Sequence, residues 1–341
     1  MVEFSESGDG LWKRGFAGDT LNVAWAARAL LPESKPVAYL TRAGVDDISS
    51  AMTSFIAEAG IVTDPIQTDP ERTVGLYSIT VDEAGERSFS YWRSASAARH
   101  LADDTEQLAH TFEKAELVYL SGITAAILGE RGRAHLLSAV NRAKRSGTRF
   151  AYDPNYRPKL WGSLQEMQDF TAQIVARTDI VLPTFDDEQL GFGDRTPSMT
   201  KDRLVRWGCP EVVVKNGTQP TLVRTETVEE AVAVRSPQRP VDTTGAGDSF
   251  NGGYLAARLE GHSAQYATTL AQAVAARSAG VNTNLPSTIS TVPCSLGTDA
   301  DWIDSVSPSI SVSFGRTSIV TGVSSSVTAV SSFATGASSK V

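Results

Sequence analysis

The length and composition of this chain are typical of a globular protein. Its 341 residues, 41% hydrophobic and 21% charged, suffice for one large domain or two modest ones. A net charge of −8, without any cluster of Lys or Arg, argues against nucleic acid or an anionic membrane as a partner. Cys209 and Cys294 have no metal-ligand or disulfide spacing, and neither a secretory signal nor a membrane-spanning stretch is visible. We therefore expect a cytoplasmic location.

The first predicted elements are a strand at Met1–Ser5 and a helix at Thr20–Leu31. Gly18 would allow another group to approach the backbone closely, and Asp19 is a candidate N-cap of the helix. Two interpretations stay open. The segment is either a plain capped amphipathic helix or a turn in which Asp19 and Asn22 present polar groups to the hydroxyls of a ligand.

The pattern changes after a predicted strand at Pro36–Ala43 and a predicted helix at Val45–Gly60. Two strand-like runs, Arg72–Val81 and Glu86–Trp92, flank the turn residues Asp82–Gly85. This arrangement predicts a β-hairpin inserted between αβ units.

Three side chains of this hairpin are candidates for ligand contact: Tyr77, Tyr91 and Arg93. The two tyrosines could equally pack against one face of the hairpin. Arg93 offers a planar fork of N–H donors, which suits a carboxylate.

From Glu116 onwards, short apolar strands alternate with helices. The predicted strands are Glu116–Ser121, Arg149–Asp153, Asp179–Leu182 and Glu211–Lys215. The predicted helices are Ile127–Gly147, Ser163–Arg177, Met199–Trp207 and Ser263–Gly280. This alternation predicts an α/β fold with a parallel sheet that is covered on both faces, and ligands bind such sheets at the carboxyl ends of the strands.

Polar segments follow three of these strand ends: Asp153–Pro158, Thr184–Glu188 and Lys215–Gly217. Asn155 and Arg157 would leave a buried strand at the ligand-binding rim, although two prolines would also make an ordinary turn there. The acids of the second segment could cap a helix, and Lys215 could be a surface lysine in a turn. The strand ends therefore indicate a polar rim and leave its chemistry open.

The most specific pattern lies at Asp242–Phe250, between a predicted strand and a predicted helix. Gly245, Ala246 and Gly247 can wrap backbone N–H groups around an anion, and the helix dipole that follows favours a phosphate. Asp248 could simply cap the helix. It could also accept a proton from a hydroxyl group that attacks phosphorus.

This run resembles the C-terminal signature of the ribokinase-like (PfkB) sugar kinases. The resemblance covers residues 1–283 and implies an α/β, three-layer ribokinase-like fold with a mostly parallel central sheet, helices on both faces and a small β-lid. It implies that Asp248 is the catalytic base and that Gly245, Ala246 and Gly247 form the anion hole. The cofactors that it implies are ATP and Mg²⁺.

Within this family, the chain most resembles the 2-keto-3-deoxygluconate (KDG) kinases, through Gly18–Asn22, Tyr91–Arg93 and Asn155–Pro158. Ala17 is a departure, since the family often has a second glycine there. The resemblance implies ATP-dependent phosphorylation of KDG to 2-keto-3-deoxy-6-phosphogluconate. The substrate-binding residues that it implies are Gly18, Asp19, Asn22, Tyr77, Tyr91, Arg93, Asn155 and Arg157. The two arginines would contact the carboxylate of the sugar acid.

The same resemblance implies nucleotide and metal contacts. The nucleotide-binding residues would be Lys215, Gly217, Thr243, Gly245 and Gly247. Thr184–Asp187 occupies the position of the family's Asn-x-x-Glu motif, whose acid helps to hold Mg²⁺ through water. Asp187 is therefore the expected metal residue, with Glu188 one position away.

The resemblance also divides the chain into a kinase domain at residues 1–283 and a tail at residues 284–341. The lid segments would lie near residues 10–17 and 72–94, and such lids often mediate dimerisation, so a homodimer is an open possibility. Ser and Thr make up 23 of the last 57 residues, only five of which are charged. This composition cannot bury a core and predicts disorder.

Two other functions remain open. One is a kinase for another sugar, of the fructokinase or ribokinase type, against which Arg93 and Arg157 argue because guanidinium groups suit an acid. The other is a non-catalytic sugar-binding relative, against which the intact Gly-Ala-Gly-Asp run argues.

Overall fold

A computed structural model of the protein describes residues 1–6, 10–82, 87–234 and 245–278. The strands are β1 Val2–Glu6, β2 Trp12–Phe16, β3 Arg42–Gly44, β4 Gln67–Asp69, β5 Leu76–Val81, β6 Arg87–Trp92, β7 Leu117–Ser121, β8 Arg149–Asp153, β9 Ile180–Val181, β10 Glu211–Val214, β11 Thr221–Arg224 and β12 Glu229–Val232. The helices are α1 Asp19–Leu30, α2 Asp47–Glu58, α3 Thr105–Glu113, α4 Gly122–Ile127, α5 Gly129–Arg145, α6 Leu164–Val175, α7 Phe185–Phe192, α8 Pro197–Arg206, α9 Ala246–Leu259 and α10 Ala264–Ser278.

Most of the strands belong to two sheets. The larger sheet has the order β12-β11-β10-β9-β8-β7, in which β7 to β10 are parallel and β11 and β12 are antiparallel. A separate four-stranded sheet has the order β2-β1-β5-β6. In it, β5 and β6 form the predicted hairpin, with Leu76 opposite Trp92. This second sheet is the expected β-lid.

The larger sheet is covered on both faces because its strands alternate their side chains between two cores. On β8, Phe150 and Tyr152 pack into one core with α5, α6 and α8, whereas Ala151 packs into the other with α1, α9 and α10. On β10, Val212 packs into the first of these cores and Val213 into the second. The predicted three-layer α/β fold is thereby confirmed.

Several helices begin where the sequence carries a capping residue. The side chains of Asp46, Asp104, Ser163 and Thr196 each accept a hydrogen bond from the backbone N–H three residues further on. Such caps satisfy N–H groups that have no partner inside the helix. They account for the starts of α2, α3, α6 and α8.

Two predicted elements differ from the structure. The strand predicted at Pro36–Ala43 is reduced to β3 and an isolated bridge between Ala38 and Val62, because this segment pairs with the short β4 region rather than with the larger sheet. The helix predicted at Ile127–Gly147 is α5, preceded by a separate α4. Gly129 separates the two with a positive φ of 67°.

Some predictions lie outside the described residues, namely Thr243, most of the Asp82–Gly85 turn and the segment after residue 278. Within the described ranges, each helix is too short or too polar to cross a bilayer.

Candidate functional site

A cavity of about 920 Å³ is lined by residues of both sheets and of the segments that follow the parallel strands. The predicted site residues along its wall are Gly18, Asp19, Asn22, Tyr77, Tyr91, Arg93, Asn155, Arg157, Asp187, Lys215, Gly245, Gly247 and Asp248. Residues from both halves of the chain therefore meet at one place.

Asp19 is not the N-cap of α1, contrary to the prediction. The helix begins at Asp19 itself, and Gly18 stands at the capping position without a side chain. The Asp19 carboxylate accepts hydrogen bonds from the Ser121 hydroxyl and, at 3.2 Å, from the Asn155 amide nitrogen Nδ2. Its partners belong to other elements, and Asp19 itself lines the cavity.

Asn155 has an uncommon backbone conformation that orients its side chain. Its φ is 39°, in the left-handed region that Asn tolerates better than most residues. The Asn155 backbone N–H donates to Asp153 Oδ1 at 3.0 Å, which closes a turn at the end of β8. This turn directs the buried amide of Asn155 to Asp19.

Asp248 lies in the first turn of α9, after Gly245, whose φ of 72° is in the left-handed region that favours glycine. Its carboxylate does not cap the helix. It accepts a hydrogen bond from Asn22 Nδ2 on α1 at 2.9 Å. Burial raises the pKa of Asp248 to about 7, the nearby charge of Asp19 adds to this increase, and the hydrogen bond from Asn22 opposes it.

The hydrogen bond between Asn22 and Asp248 depends on the close approach of α1 and α9. A Cβ atom on Gly252 would lie 2.6 Å from Ala26 Cβ and 2.7 Å from the Val23 carbonyl oxygen. Any larger side chain at Gly252 would therefore push the two helices apart.

Gly252→Ala should lower the melting temperature by several degrees and also reduce activity. Overpacking typically costs ~1–3 kcal/mol, and the helix preference of Ala returns at most ~1 kcal/mol. The matched control is Gly253→Ala, whose Cβ would meet atoms of α10 at 3.2–3.4 Å. Thermal melts of both variants should show the larger loss for Gly252→Ala. Equal losses would show that the contact of α9 with α1 at Gly252 is no tighter than its contact with α10 at Gly253.

Lys215 is not a surface lysine, because only 7% of its surface is exposed. Its Nζ atom contacts Asp153 Oδ2 at 2.6 Å and Asn251 Oδ1 at 3.0 Å. Gly217, two residues later, lies in a turn with φ 56°. Gly217 and Ala246 are described by the structure but do not line the cavity.

The lid contributes an aromatic wall. Tyr77 is buried, and its hydroxyl donates a hydrogen bond to the Glu3 carboxylate. Its ring centroid lies 5.9 Å from that of Tyr91, which is half exposed. The Arg93 guanidinium lies 4.2 Å from the Tyr91 centroid, a cation–π distance. Partial burial lowers the pKa of Arg93, and the nearby Arg157 contributes to this decrease. The two cations therefore lie near each other on the cavity wall.

Arg157 and Asp187 form a salt bridge of 3.4 Å on the cavity wall. Burial raises the pKa of Asp187, and Arg157 opposes this increase. Glu188 is buried against Arg203 at 2.6 Å and does not share the wall with Asp187.

The acidic residues Asp186 and Asp187 fit a magnesium ion whose other ligands are water and the phosphates of a substrate. Across the described ranges, no group of three or more His, Cys, Asp or Glu side chains could hold a metal by itself. Mg²⁺ commonly takes one or two carboxylates and completes its shell with water and substrate phosphates. Asp186 and Asp187, both on the cavity wall, supply the oxygen donors for this arrangement.

The sequence patterns described above do not include Phe89 or Asn251 among the site residues. Phe89 lies two residues from Tyr91 on β6, and its ring stacks against Tyr91 with centroids 6.3 Å apart. Asn251 lies three residues after Asp248 on α9. The strand period of two and the helix spacing of three would have indicated these two positions.

Comparisons with known proteins identify the family of this chain. Residues 9–286 match the family described as pfkB family carbohydrate kinase. The chain is 40% identical over 271 residues to the 2-dehydro-3-deoxygluconokinase of Dickeya dadantii (strain 3937), which covers 78% of this chain and 87% of that protein. The corresponding protein of Escherichia coli (strain K12) shows the same identity over 271 residues, with 78% and 87% covered.

Solved structures show the same fold. The fructokinase of Vibrio cholerae O395 in its apo form superposes with a TM-score of 0.71 at 25% identity, over 82% of this chain and 95% of that chain. The 2-dehydro-3-deoxygluconokinase of Thermotoga maritima gives a TM-score of 0.70 at 20% identity, over 81% and 88% of the two chains. At that identity, the second likeness concerns the fold alone.

Proposed function

Because the chain belongs to the pfkB family of carbohydrate kinases, we propose that its substrate is 2-dehydro-3-deoxygluconate, the sugar acid abbreviated KDG above. The γ-phosphoryl group of ATP is transferred to the terminal hydroxyl of KDG. The observation that carries this proposal is that Asp248 shares one cavity with the guanidinium groups of Arg93 and Arg157; Arg42, also on the cavity wall, is paired with Asp69. A neutral sugar offers no anion for such a pair, whereas KDG carries a carboxylate.

In the proposed mechanism, the terminal hydroxyl oxygen of KDG attacks the γ-phosphorus in line. The bond from this phosphorus to the bridging β–γ oxygen breaks, ADP leaves, and the hydroxyl proton passes to Asp248. The backbone N–H groups of Gly245–Gly247 face the charge on the transferring group, because they lie at the positive end of α9. Most of the rate enhancement comes from this positioning and electrostatic stabilisation.

The remaining cavity residues orient the sugar acid. Arg157 and Arg93 bind its carboxylate, and the rings of Tyr77 and Tyr91 form the wall beside it. The polar side chains of Asp19, Asn22 and Asn155, with the backbone at Gly18, contact its hydroxyl groups. Tyr77 donates to Glu3 and packs beside Tyr91, so this wall is preformed.

The nucleotide and metal contacts follow the family. Lys215, Gly217, Thr243, Gly245 and Gly247 bind ATP. Asp187 would hold Mg²⁺ through water, and the bound ion would neutralise charge on the phosphates.

A coupled assay of ADP release with ATP and KDG tests the proposal. We expect turnover with KDG and a much lower kcat/KM with fructose or ribose. Faster turnover of a neutral sugar would assign the chain to another sugar kinase type. Binding of KDG without ADP release would identify a non-catalytic relative.

We also propose a homodimer in which the lid sheets meet. The lid exposes large apolar side chains, with 44% of the surface of Trp12, 48% of Val81 and 61% of Trp92 accessible. Covering them is favourable in water. Sedimentation velocity of the full chain should show twice the monomer mass, and Trp92→Ser should shift it towards the monomer. A monomeric parent at micromolar concentration would contradict this proposal.

The kinase domain ends near residue 283, with residues 284–341 as a separate Ser/Thr-rich tail. This division is supported by the family match, which ends at residue 286. Use of ATP and the free thiol of buried Cys209 support a cytoplasmic location.

A further inference from the structure

Beside the Gly245–Gly247 loop, three buried side chains that are distant in sequence form a closed triangle. Lys215 Nζ donates to Asp153 Oδ2 at 2.6 Å and to Asn251 Oδ1 at 3.0 Å. Asn251 Nδ2 donates to the same Asp153 oxygen at 2.6 Å. Their exposed fractions are 3% for Asp153, 7% for Lys215 and 0% for Asn251. With one carboxylate, one ammonium and one amide, the triangle has a net charge of zero.

The triangle adjoins the proposed catalytic groups. Asn251 follows Asp248 by three residues on α9, which places both near the same side of the helix. Lys215 Nζ lies 3.8 Å from the position that a Cβ atom on Gly247 would occupy. Asp153 also shares the cavity wall with Asp248.

A buried ion pair adds little to stability, because removing both charges from water costs about as much as their attraction returns. The same low-dielectric surroundings strengthen the field of each charge on its neighbours. An ion pair at this position therefore adds little net stability and acts on the charge of Asp248.

We propose that Asp153, Lys215 and Asn251 together set the charge state of Asp248. Lys215 favours the ionised carboxylate, Asp153 opposes it, and the neutral amide of Asn251 holds the two charges in place. Asp153 and Asn251 are positioning residues, and Lys215 acts on Asp248 in addition to its proposed contact with ATP. This inference rests on the proposed function, in which Asp248 is the catalytic base.

Other titratable groups also face Asp248. Asp19 approaches from α1, Tyr119 from β7 and Tyr77 from β5. Burial raises the pKa of both tyrosines, which keeps them neutral near pH 7. Burial and Asp19 are the main causes of the raised pKa of Asp248. Asp153 raises it further and Lys215 lowers it.

The experiment is to measure kcat/KM for KDG against pH, at saturating ATP and Mg²⁺, in charge variants of the triangle. Activity in the parent should rise through a midpoint near pH 7, because the base must be ionised to accept the proton. ATP and KDG titrate identically in every assay, so a difference in midpoint between two variants comes from the protein.

We expect the midpoint to follow the net charge of the triangle. Lys215→Met, with a triangle charge of −1, should raise the midpoint by about half a pH unit or more. Asp153→Asn, with a charge of +1, should lower it. The double variant Lys215→Met/Asp153→Asn, with a charge of zero, should return it near the parent value.

The matched control is Lys201→Met. Lys201 is equally buried and pairs with Glu229, but it does not line the cavity. Its removal should leave the midpoint unchanged, and circular dichroism melts should confirm that each variant is folded. If Lys215→Met or Asp153→Asn does not fold, the other of these two variants and the double variant decide the matter.

Midpoints that stay constant, or that move in the same direction for both signs of charge, would overturn the inference. Failure of the proposed function is distinguishable, because it appears in the parent as an absence of ADP release with KDG.

Discussion

Asp248→Asn should lower kcat for KDG by about 10²–10⁴-fold, the usual cost of losing a general base. The side chain lies in the first turn of α9 and accepts a hydrogen bond from Asn22. An Asn side chain keeps the shape and one oxygen acceptor, so α9 and the contact with α1 persist. It cannot accept the hydroxyl proton. Binding of ATP and KDG, measured by calorimetry, should change little.

The matched control for this variant is Asp47→Asn. Asp47 also lies in the first turn of a helix, α2, but it is exposed on the surface. Its replacement should leave kcat unchanged. An Asp248→Asn protein that turns over KDG at nearly the parent rate would show that another group takes the proton.

The same variant should change the pH dependence of stability. Because folding raises the pKa of Asp248 to about 7, ionising this group destabilises the folded state relative to the unfolded state. In the parent, the folded state therefore has its full stability below the unfolded pKa near 4, where Asp248 is protonated in both states. It loses stability as the pH rises through the folded pKa. The melting temperature of Asp248→Asn minus that of the parent should therefore increase from pH 4 to pH 8. A constant difference across this range would mean that folding does not perturb Asp248.

Arg157→Ala should weaken KDG binding by about 30- to 150-fold. Removing one partner of a desolvated charge pair costs about 2–5 kcal/mol, and we expect the lower part of this range because half of the Arg157 side chain is exposed. The loss should appear in KM for KDG. It should be much smaller for the methyl ester of KDG, which lacks the charge and is larger by one methyl group.

Two further variants sharpen this test. Arg157→Lys keeps the charge but loses the planar fork of donors, so it should restore only part of the affinity. Arg177→Ala, whose side chain bonds to Asn141 outside the cavity, should leave KM unchanged. Equal losses for KDG and its methyl ester would show that Arg157 does not recognise the carboxylate.

Local patterns in the sequence determined most of the secondary structure. The apolar run Arg149–Asp153 predicts β8 with the bounds that the structure has, because strands buried on both faces form such short apolar runs. The junction at Gly245 predicts the start of α9, because glycine readily adopts the left-handed conformation that the turn requires. The hairpin of β5 and β6 followed from strand runs on either side of a turn. Each of these signals lies within a few neighbouring residues.

Only the tertiary structure decided how the polar residues pair. Asp19 has the sequence context of a helix cap, but its carboxylate is held by Asn155, 136 positions away in the chain. Lys215 has the context of a surface turn and is buried against Asp153, 62 positions away. Asn251 bonds to the same carboxylate across 98 positions. A single sequence carries no signal for such pairs, because packing of α1 and α9 and the convergence of strand ends bring them together. The sequence therefore determined which chemical groups the cavity contains, and the fold determined which charges face one another, because electrostatic interaction depends on distance in space and on burial.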